Sequence, residues 1–253
     1  MMAQARRLAM REWRGFARRA LQLHVSRLWP LALVASVSTA QAEVVSARYL
    51  EPTDRYAHGV LGDAIEWGTL EIRLKDNTRR RLVLPESRVF EDLEPRLFDV
   101  DLDGDLEVIV IESSATQGAR LSIYDENGLL AANPYIGTRN RWLAPVGAAD
   151  LDGDGKIEIA YIDRPHLAKT LRIWRYENGA LTEVAQKPGL TNHKIGQDYI
   201  SSGIRDCGKG PEMVTADANW RSVIVSRFDG AAIKSQAADG FSQDALADVL
   251  ACK

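Results

Sequence analysis

The chain of 253 residues contains little cysteine and no long hydrophobic run, and both shortages exclude classes of protein. With two cysteines, Cys207 and Cys252, and no C-x-x-C pair, a zinc site is not expected. The main apolar run, Leu28–Ser38, has eleven residues, whereas a membrane-spanning helix needs about 20. The sequence also lacks the motifs G-x-S-x-G, H-E-x-x-H, C-x-x-C-H, the P-loop and the Rossmann glycine fingerprint.

Charge is distributed unevenly along this otherwise ordinary globular composition. The formal net charge is −3, but residues 1–42 contain seven arginines and one acid. Residues 43–253 therefore keep 25 basic and 34 acidic residues, a net charge of about −9. An acidic body argues against nucleic acid or an anionic membrane surface as a partner.

The basic N-terminal segment ends in the apolar run and then in Ala40-Gln41-Ala42, the small-x-small pattern of a signal-peptidase site. We predict a secretory signal peptide over residues 1–42, a periplasmic or extracellular location, and no membrane span after cleavage. An uncleaved anchor or a buried helix is the alternative. About 27 residues precede the apolar run, which is long for a signal peptide. An upstream start-codon error explains this length, and Arg18-Arg19 gives only weak support to a twin-arginine signal.

Export would place the two cysteines in an oxidising compartment, where an even pair predicts a Cys207–Cys252 disulfide. Closing a loop of this length would stabilise the fold by roughly 4 kcal/mol in the chain-entropy model. Two free buried thiols are the alternative.

The most informative feature is a repeat with a period of 51 residues. Asp99–Glu107 (DVDLDGDLE) reappears as Asp150–Glu158 (DLDGDGKIE) with aligned acids and glycine. Short β-branched or alternating runs surround these segments and indicate strands. Three dipeptides that tolerate positive φ predict hairpin turns. They are Asn127-Gly128, Asn178-Gly179 and Asp229-Gly230.

Short strands, hairpins and this period predict an all-β fold, a small β-propeller of about four repeats with four-stranded antiparallel blades. We expect residues 43–253 to form a single domain. The repeats are placed near residues 44–95, 96–145, 146–197 and 198–240, followed by a tail over 241–253. In that tail, Ser242 can cap a short amphipathic helix that ends at Cys252.

Both acidic loops carry carboxylates at positions 1, 3, 5 and 9 and glycine at position 6. Alternate residues of a tight loop turn their oxygens to one centre, and this number of hard ligands suits Ca²⁺. The backbone carbonyl of position 7, Asp105 or Lys156, can add another oxygen. The predicted sites comprise Asp99, Asp101, Asp103, Asp105 and Glu107, and Asp150, Asp152, Asp154, Lys156 and Glu158. We therefore expect one or two structural calcium ions.

An EF-hand is excluded, because position 12 is Val110 or Tyr161 rather than glutamate and the flanks are strands. A solvated acidic turn that binds nothing is the alternative for each loop, and the first loop also permits a register that begins at Asp101. The corresponding segment near Cys207 has lost the pattern, with Arg205 and Lys209 at the expected carboxylate positions.

The paired D-x-D-x-D-G-x-x-E loops resemble the FG-GAP/VCBS-type repeats of integrin α-like β-propellers. This resemblance covers residues 99–107 and 150–158 well and the hairpins near 121–128 and 171–179 moderately. It implies calcium in the turn between two blade strands, where the ion stabilises the blade. Propellers of that family have about seven blades, so four repeats would give an unusually small or incomplete ring.

A second group of residues is a candidate for ligand binding. The segments around His58 and His193 each place a histidine before an apolar–glycine step and an aspartate. If they are equivalent inner strands, one end of a central channel would be lined by His58, Asp63, Arg139, Arg141, His193 and Asp198. Such a pocket suits a small anionic or sugar-like ligand. Hydrogen-bonded structural positions are the simpler interpretation of these residues.

Two functional hypotheses follow. The first is an exported, calcium-stabilised propeller, expected to be a monomer, that acts without catalysis as a binding module for a protein or carbohydrate ligand. The second is a periplasmic propeller enzyme that acts on a sugar or small polar substrate through the channel residues.

Overall fold

A computed structural model describes residues 43–253, so the predicted signal peptide over 1–42 lies outside the described residues. These residues form seventeen β-strands and one helix, which confirms the all-β prediction and the C-terminal helix. The strands are arranged in three antiparallel sheets. The number of blades and their closure into a ring stay predictions.

The first sheet contains eight strands and joins the first two predicted repeats. Its strands are β1 Val44–Thr53, β2 Glu66–Leu74, β3 Arg79–Val83, β4 Arg88–Phe90, β5 Arg96–Phe98, β6 Glu107–Ser114, β7 Gly118–Asp125 and β8 Gly128–Ala132. Their order is β1-β2-β4-β6-β7-β8, with β3 paired to β2 and β5 to β6. The three-residue strand β4 is the link, because Phe90 pairs with Trp67 of β2 and with Glu112 of β6.

The second and third sheets correspond to the later repeats. The second has the order β12-β11-β10-β9 and comprises β9 Leu143–Ala149, β10 Glu158–Asp163, β11 Thr170–Glu177 and β12 Ala180–Pro188. The third comprises β13 Leu190–Thr191, β14 Gly203–Asp206, β15 Pro211–Asp217, β16 Ser222–Phe228 and β17 Ile233–Gly240. Its main path is β13-β15-β16-β17, with β14 paired to β15.

The predicted turns connect antiparallel neighbours. Asn178-Gly179 joins β11 to β12 as a two-residue loop in which both residues have positive φ, 51° and 75°. This is the backbone that a type I′ hairpin requires and that Asn-Gly adopts readily. Asn127-Gly128 and Asp229-Gly230 lie at the β7–β8 and β16–β17 connections.

Apolar side chains from all three sheets form the largest hydrophobic core. It includes Ile111 of β6, Ile162 of β10 and Met213 of β15, each fully buried. Every residue of β6 is buried, so this strand is central to the first sheet. A second core, which includes Ile72 and Phe90, lies within the first sheet.

The C-terminal helix α1, Gln243–Leu250, packs on the third sheet. The side chain of Ser242 caps it by accepting a hydrogen bond from the Ala245 amide at 3.0 Å. Leu246 and Val249, one turn apart, are buried against valines of β15 and β16. The predicted Cys207–Cys252 disulfide is present and ties the end of the chain to the β14–β15 loop. Within residues 43–253, no helix is long and apolar enough to cross a membrane.

Candidate functional site

Each acidic loop connects an outer strand to a buried inner strand of the same sheet. The first loop lies between β5 and β6, and the second lies between β9 and β10. In each loop, two aspartates and the first residue of the inner strand bring carboxylate oxygens within 4.8 Å of one another. These trios are Asp99, Asp101 and Glu107, and Asp150, Asp152 and Glu158.

Backbone amides fix both loops in the same way. Glu107 Oε2 accepts from the Val100 amide at 2.8 Å, and Glu158 Oε2 accepts from the Leu151 amide at 2.9 Å. The first aspartate of each loop accepts from the amide of the position-6 glycine, at 3.1 Å for Gly104 and 3.0 Å for Gly155. Both glycines have positive φ, as the predicted sharp reversal requires. The 51-residue sequence repeat therefore corresponds to two loops that share these hydrogen bonds.

The remaining predicted ligands have other contacts. Asp103 and Asp154 each accept from the amide two residues ahead, at 2.9 Å. The buried Asp105 side chain accepts from the amides of Leu106 and Val44 and so attaches the start of β1 to the first loop. The Lys156 ammonium pairs with Glu177 at 2.9 Å. Whether the backbone carbonyls of Asp105 and Lys156 contribute to an ion stays a prediction.

The two trios differ in the cation beside them. Arg175 of β11 donates to Glu158 Oε1 and Asp152 Oδ2, both at 2.6 Å, and its Nη1 lies 3.0 Å from Asp154 Oδ2. In the described part of the chain, no lysine, arginine or histidine forms an ion pair with Asp99, Asp101 or Glu107. Within residues 43–253, the first trio therefore has no paired cationic side chain to offset its negative charge.

The pKa values of the two loop glutamates reflect this difference. Burial raises the pKa of Glu107 to about 7, and the nearby charges of Asp101, Asp103 and Asp99 add to the shift. Burial also raises the pKa of Glu158, but hydrogen bonding to Arg175 opposes the shift there. Asp99 Oδ1 is buried and has no hydrogen-bond partner among the described residues. An orphaned carboxylate oxygen in an acidic trio fits a bound cation with hard oxygen ligands.

A cavity of about 440 Å³ adjoins the first loop. It is lined by Asp101 and Leu102 of that loop, by Lys156 of the second loop, and by Tyr176 and Asn178 of the β11–β12 hairpin. One carboxylate of the first trio therefore faces a concave surface that contains both polar and apolar groups.

At the corresponding β14–β15 loop, the remaining glutamate is surrounded by arginines of β14 and β16. Glu212, the counterpart of Glu158, receives hydrogen bonds from Arg205 at 2.9 Å and from Arg227 at 2.6 Å. The disulfide of Cys207 lies in the same loop. The acidic sequence pattern is therefore absent from this loop. Its glutamate is kept, and Arg205 and Arg227 neutralise the charge.

The second candidate site is a cavity of about 260 Å³ that collects histidines distant in sequence. His58 and His166 line it, together with Arg141, Arg164 and Trp142. Exposed apolar side chains of Leu167 and Ile195 stand at its edge. Arg164 has φ of +45°, an unusual backbone conformation for a residue other than glycine, asparagine or aspartate.

Buried groups orient both histidines of this cavity. His58 Nδ1 lies 2.5 Å from Glu91 Oε1, and the other Glu91 oxygen accepts from the Ser113 hydroxyl. His193 Nε2 donates to the Gln197 carbonyl at 2.9 Å, because a carbonyl can only accept. Burial lowers the pKa of His193, so its ring is neutral and Nδ1 accepts from His166 Nε2 at 3.0 Å.

The predicted channel residues are only partly brought together. His58 and Arg141 line the cavity. His193 does not line it but is hydrogen-bonded to His166, which does. Asp63, Arg139 and Asp198 are exposed and do not line it. Sequence reasoning missed His166 and Glu91. His166 could have been considered as the third histidine after residue 42, whereas nothing in the sequence marked Glu91.

Comparison with known proteins identifies the acidic repeat. Residues 99–161, which contain both loops, match the family model of the FG-GAP-like repeat, so the chain carries a repeat of this kind. The solved structure of an exotype rhamnogalacturonan lyase, YesX, is similar with 14% sequence identity and a TM-score of 0.44. The alignment covers 79% of this chain and 48% of that structure, so the chain spans about half its length. No curated protein matches the sequence.

Proposed function

We propose that the chain is an exported, calcium-stabilised FG-GAP-type propeller that serves as a non-catalytic binding module. One observation carries the calcium assignment. Asp99, Asp101 and Glu107 gather their oxygens within 4.8 Å, and one buried oxygen of Asp99 has no partner among the described residues. A bound Ca²⁺ would neutralise this charge and join the end of β5 to the start of β6.

The cavity of about 440 Å³ beside the first loop supports the binding role. Asp101 belongs both to the acidic trio and to the wall of this cavity. An ion held by the trio would therefore order one side of the cavity. A protein or carbohydrate ligand with polar groups suits this wall, since Lys156 and Asn178 offer donors beside it.

Thermal melting with and without calcium tests the proposal. Because the ion would bind the folded chain and not the unfolded chain, saturating Ca²⁺ at 100 times its Kd should raise stability by about 2.7 kcal/mol. We expect EDTA to remove this gain and Asp101→Asn to abolish it. Asp63→Asn, which changes an exposed aspartate outside both trios, is the matched control. A melting temperature indifferent to millimolar Ca²⁺ and EDTA would reject the proposal.

The second candidate function is an enzyme or receptor for a sugar or small polar molecule at the histidine cavity. The observation that favours it is the convergence of His58, His166 and Arg141 on one concavity, with Glu91 orienting His58. An imidazole held by a buried carboxylate is a common arrangement of a general base.

Binding or turnover of a panel of neutral and anionic sugars tests this candidate. His58→Ala and Glu91→Gln should each weaken the signal, by at least tenfold for His58→Ala. Asp198→Asn, an exposed change outside the cavity, should leave the signal unchanged. If a ligand binds and His58→Ala retains full affinity and activity, the cavity is not its site.

A further inference from the structure

We propose that Arg175 takes the place of the second calcium ion, so that the chain binds one ion, at the first loop only. This inference rests on the proposed calcium function and limits calcium binding to one of the two loops. The resemblance to calcium-binding repeats predicts an ion in each acidic loop. The side chains of the second loop fit an arginine instead.

The first argument is the geometry of the guanidinium. Its three nitrogens reach three carboxylates of the second loop at 2.6, 2.6 and 3.0 Å. Two of these carboxylates, Asp152 and Glu158, belong to the trio that would bind the ion. A planar group with five N–H donors matches several carboxylate oxygens at once, as this contact requires. Arg175 therefore already contacts one oxygen of Asp152 and one of Glu158 that calcium would need.

The second argument is strand register. Glu158 of β10 pairs with Arg175 of β11, and Met213 pairs with Ser226, which places Glu212 opposite Arg227. Arg227 donates to Glu212 as Arg175 donates to Glu158. In both sheets, the residue opposite the loop glutamate is therefore an arginine that donates to it.

The first sheet breaks this pattern. Val108 pairs with Tyr124, so the residue opposite Glu107 is Asp125. The Asp125 carboxylate accepts from the amides of Asn127 and Gly128 in its own hairpin. With a carboxylate where the other sheets carry arginine, the first trio has no cation on the paired strand, and we expect it to take a cation from solution.

A calcium ion and the Arg175 guanidinium cannot both occupy the second loop, because both are cations. An ion at the centre of the second trio would lie within a few ångströms of the guanidinium of Arg175, whose side chain is only 18% exposed and cannot move far without losing its contacts. Binding would require Arg175 to leave, and its buried contacts with Glu158 and Asp152 would be broken. The structure therefore assigns Arg175 the role of a permanent cation, and we expect the second loop to hold its shape in EDTA.

Isothermal titration of the protein with Ca²⁺, after removal of metal by EDTA and dialysis, tests this assignment. We expect one ion per wild-type chain, loss of at least tenfold in affinity for Asp101→Asn, and no loss for Asp152→Asn. Arg175→Gln frees the second trio and should raise the stoichiometry to two. Arg172→Gln, which alters an arginine of the same strand that pairs with Asp163 and Glu183, is the matched control and should keep one ion.

Each outcome is distinct. Two ions on the wild-type chain, or one ion that Asp152→Asn removes, would overturn the assignment of Arg175 while leaving calcium binding intact. No ion on the wild-type chain would overturn the proposed calcium function and this inference with it. If Arg175→Gln does not fold, as circular dichroism would show, the comparison of Asp101→Asn with Asp152→Asn in the wild-type background decides the question.

Discussion

At the scale of single residues, a cluster of buried acids lies behind the histidine cavity. Glu66, Glu91 and Asp92 are each at most 1% exposed. Asp92 is paired with Arg96, and Glu91 is bonded to His58 and Ser113, but Glu66 Oε2 has no partner in the described residues. Burial raises the pKa of Glu66 to about 9, with Glu91, Asp63 and Asp92 adding to the shift. Glu66 is therefore protonated in the folded protein at neutral pH.

This raised pKa predicts a pH dependence of stability. Unfolded glutamate loses its proton near pH 4.5, whereas folded Glu66 keeps it until about pH 9. The folded state therefore loses relative stability as the pH rises through this window. Glu66→Gln removes the ionisable group, so it should stabilise the protein by about 1–3 kcal/mol at pH 8 and have little effect at pH 4. Urea unfolding at the two pH values measures the difference.

A control lies on the same strand. Hydrogen bonds from Arg48 and Arg81 lower the pKa of Glu71, so its carboxylate stabilises the fold at neutral pH and this contribution is lost on acidification. Glu71→Gln should therefore destabilise the protein at pH 8, opposite in sign to Glu66→Gln. Equal effects of the two substitutions would contradict the assignment of Glu66 as a neutral buried acid.

Contacts within one loop could be predicted from the sequence, whereas contacts between distant residues could not. The spacing of Asp99, Asp101 and Glu107 predicts their convergence, because all three lie in one nine-residue loop. Arg175 is 17 residues from Glu158, and only the register of β10 against β11 brings the two together. Glu91 and His58 are 33 residues apart and likewise meet only through tertiary structure. Local patterns therefore predict the loops, and long-range pairing decides what neutralises them.

At the scale of elements, the C-terminal helix depends on tertiary contacts. With eight residues, α1 is too short to be stable alone in water. Leu246 and Val249 pack on the third sheet, Arg205 donates to the Val249 carbonyl, and the disulfide ties Cys252 to Cys207. Arg205 also neutralises Glu212, so one side chain links the helix to the loop that has lost its acids.

Removal of the disulfide tests this arrangement. The bond closes a loop with a sequence separation of 45 residues. Replacing both cysteines by serine should cost about 4 kcal/mol in the chain-entropy model. Urea unfolding of the double variant, with dithiothreitol-treated wild-type protein as the matched comparison, measures this loss. If the variant is as stable as the oxidised wild type, packing of Leu246 and Val249 alone holds the tail.

Most elements were predictable, but their grouping into sheets was not. Period-two alternation and Asn-Gly turns predict β2, β16 and the β11–β12 hairpin, since these signals are local. The union of the first two repeats depends on Phe90, which pairs with both Trp67 and Glu112. A three-residue strand carries too short a pattern to be recognised in sequence, so the eight-stranded sheet could only be seen in the structure.

At the scale of the whole molecule, the main core joins the three sheets. Ile109 of β6, Ile159 of β10 and Met213 of β15 belong to one buried cluster, and residues 43–253 lie within one compact unit. The first acidic loop is directly continuous with β6, whose residues are buried throughout. A free-energy change at this loop should therefore be transmitted to strands that make no contact with the ion.

Hydrogen exchange measures this coupling. If the three sheets unfold together, Ca²⁺ bound at the first loop raises the free energy of the shared opening, so amides in all sheets should exchange more slowly by a similar factor. At 100 times the Kd, exchange of amides in β6, β10 and β16 should each slow by about 100-fold under conditions where opening is at equilibrium. Asp101→Asn is the matched control and should show no slowing. Protection confined to residues 44–132 would contradict a cooperative core, because the first sheet would then open independently of the other two although all three contribute to one buried cluster.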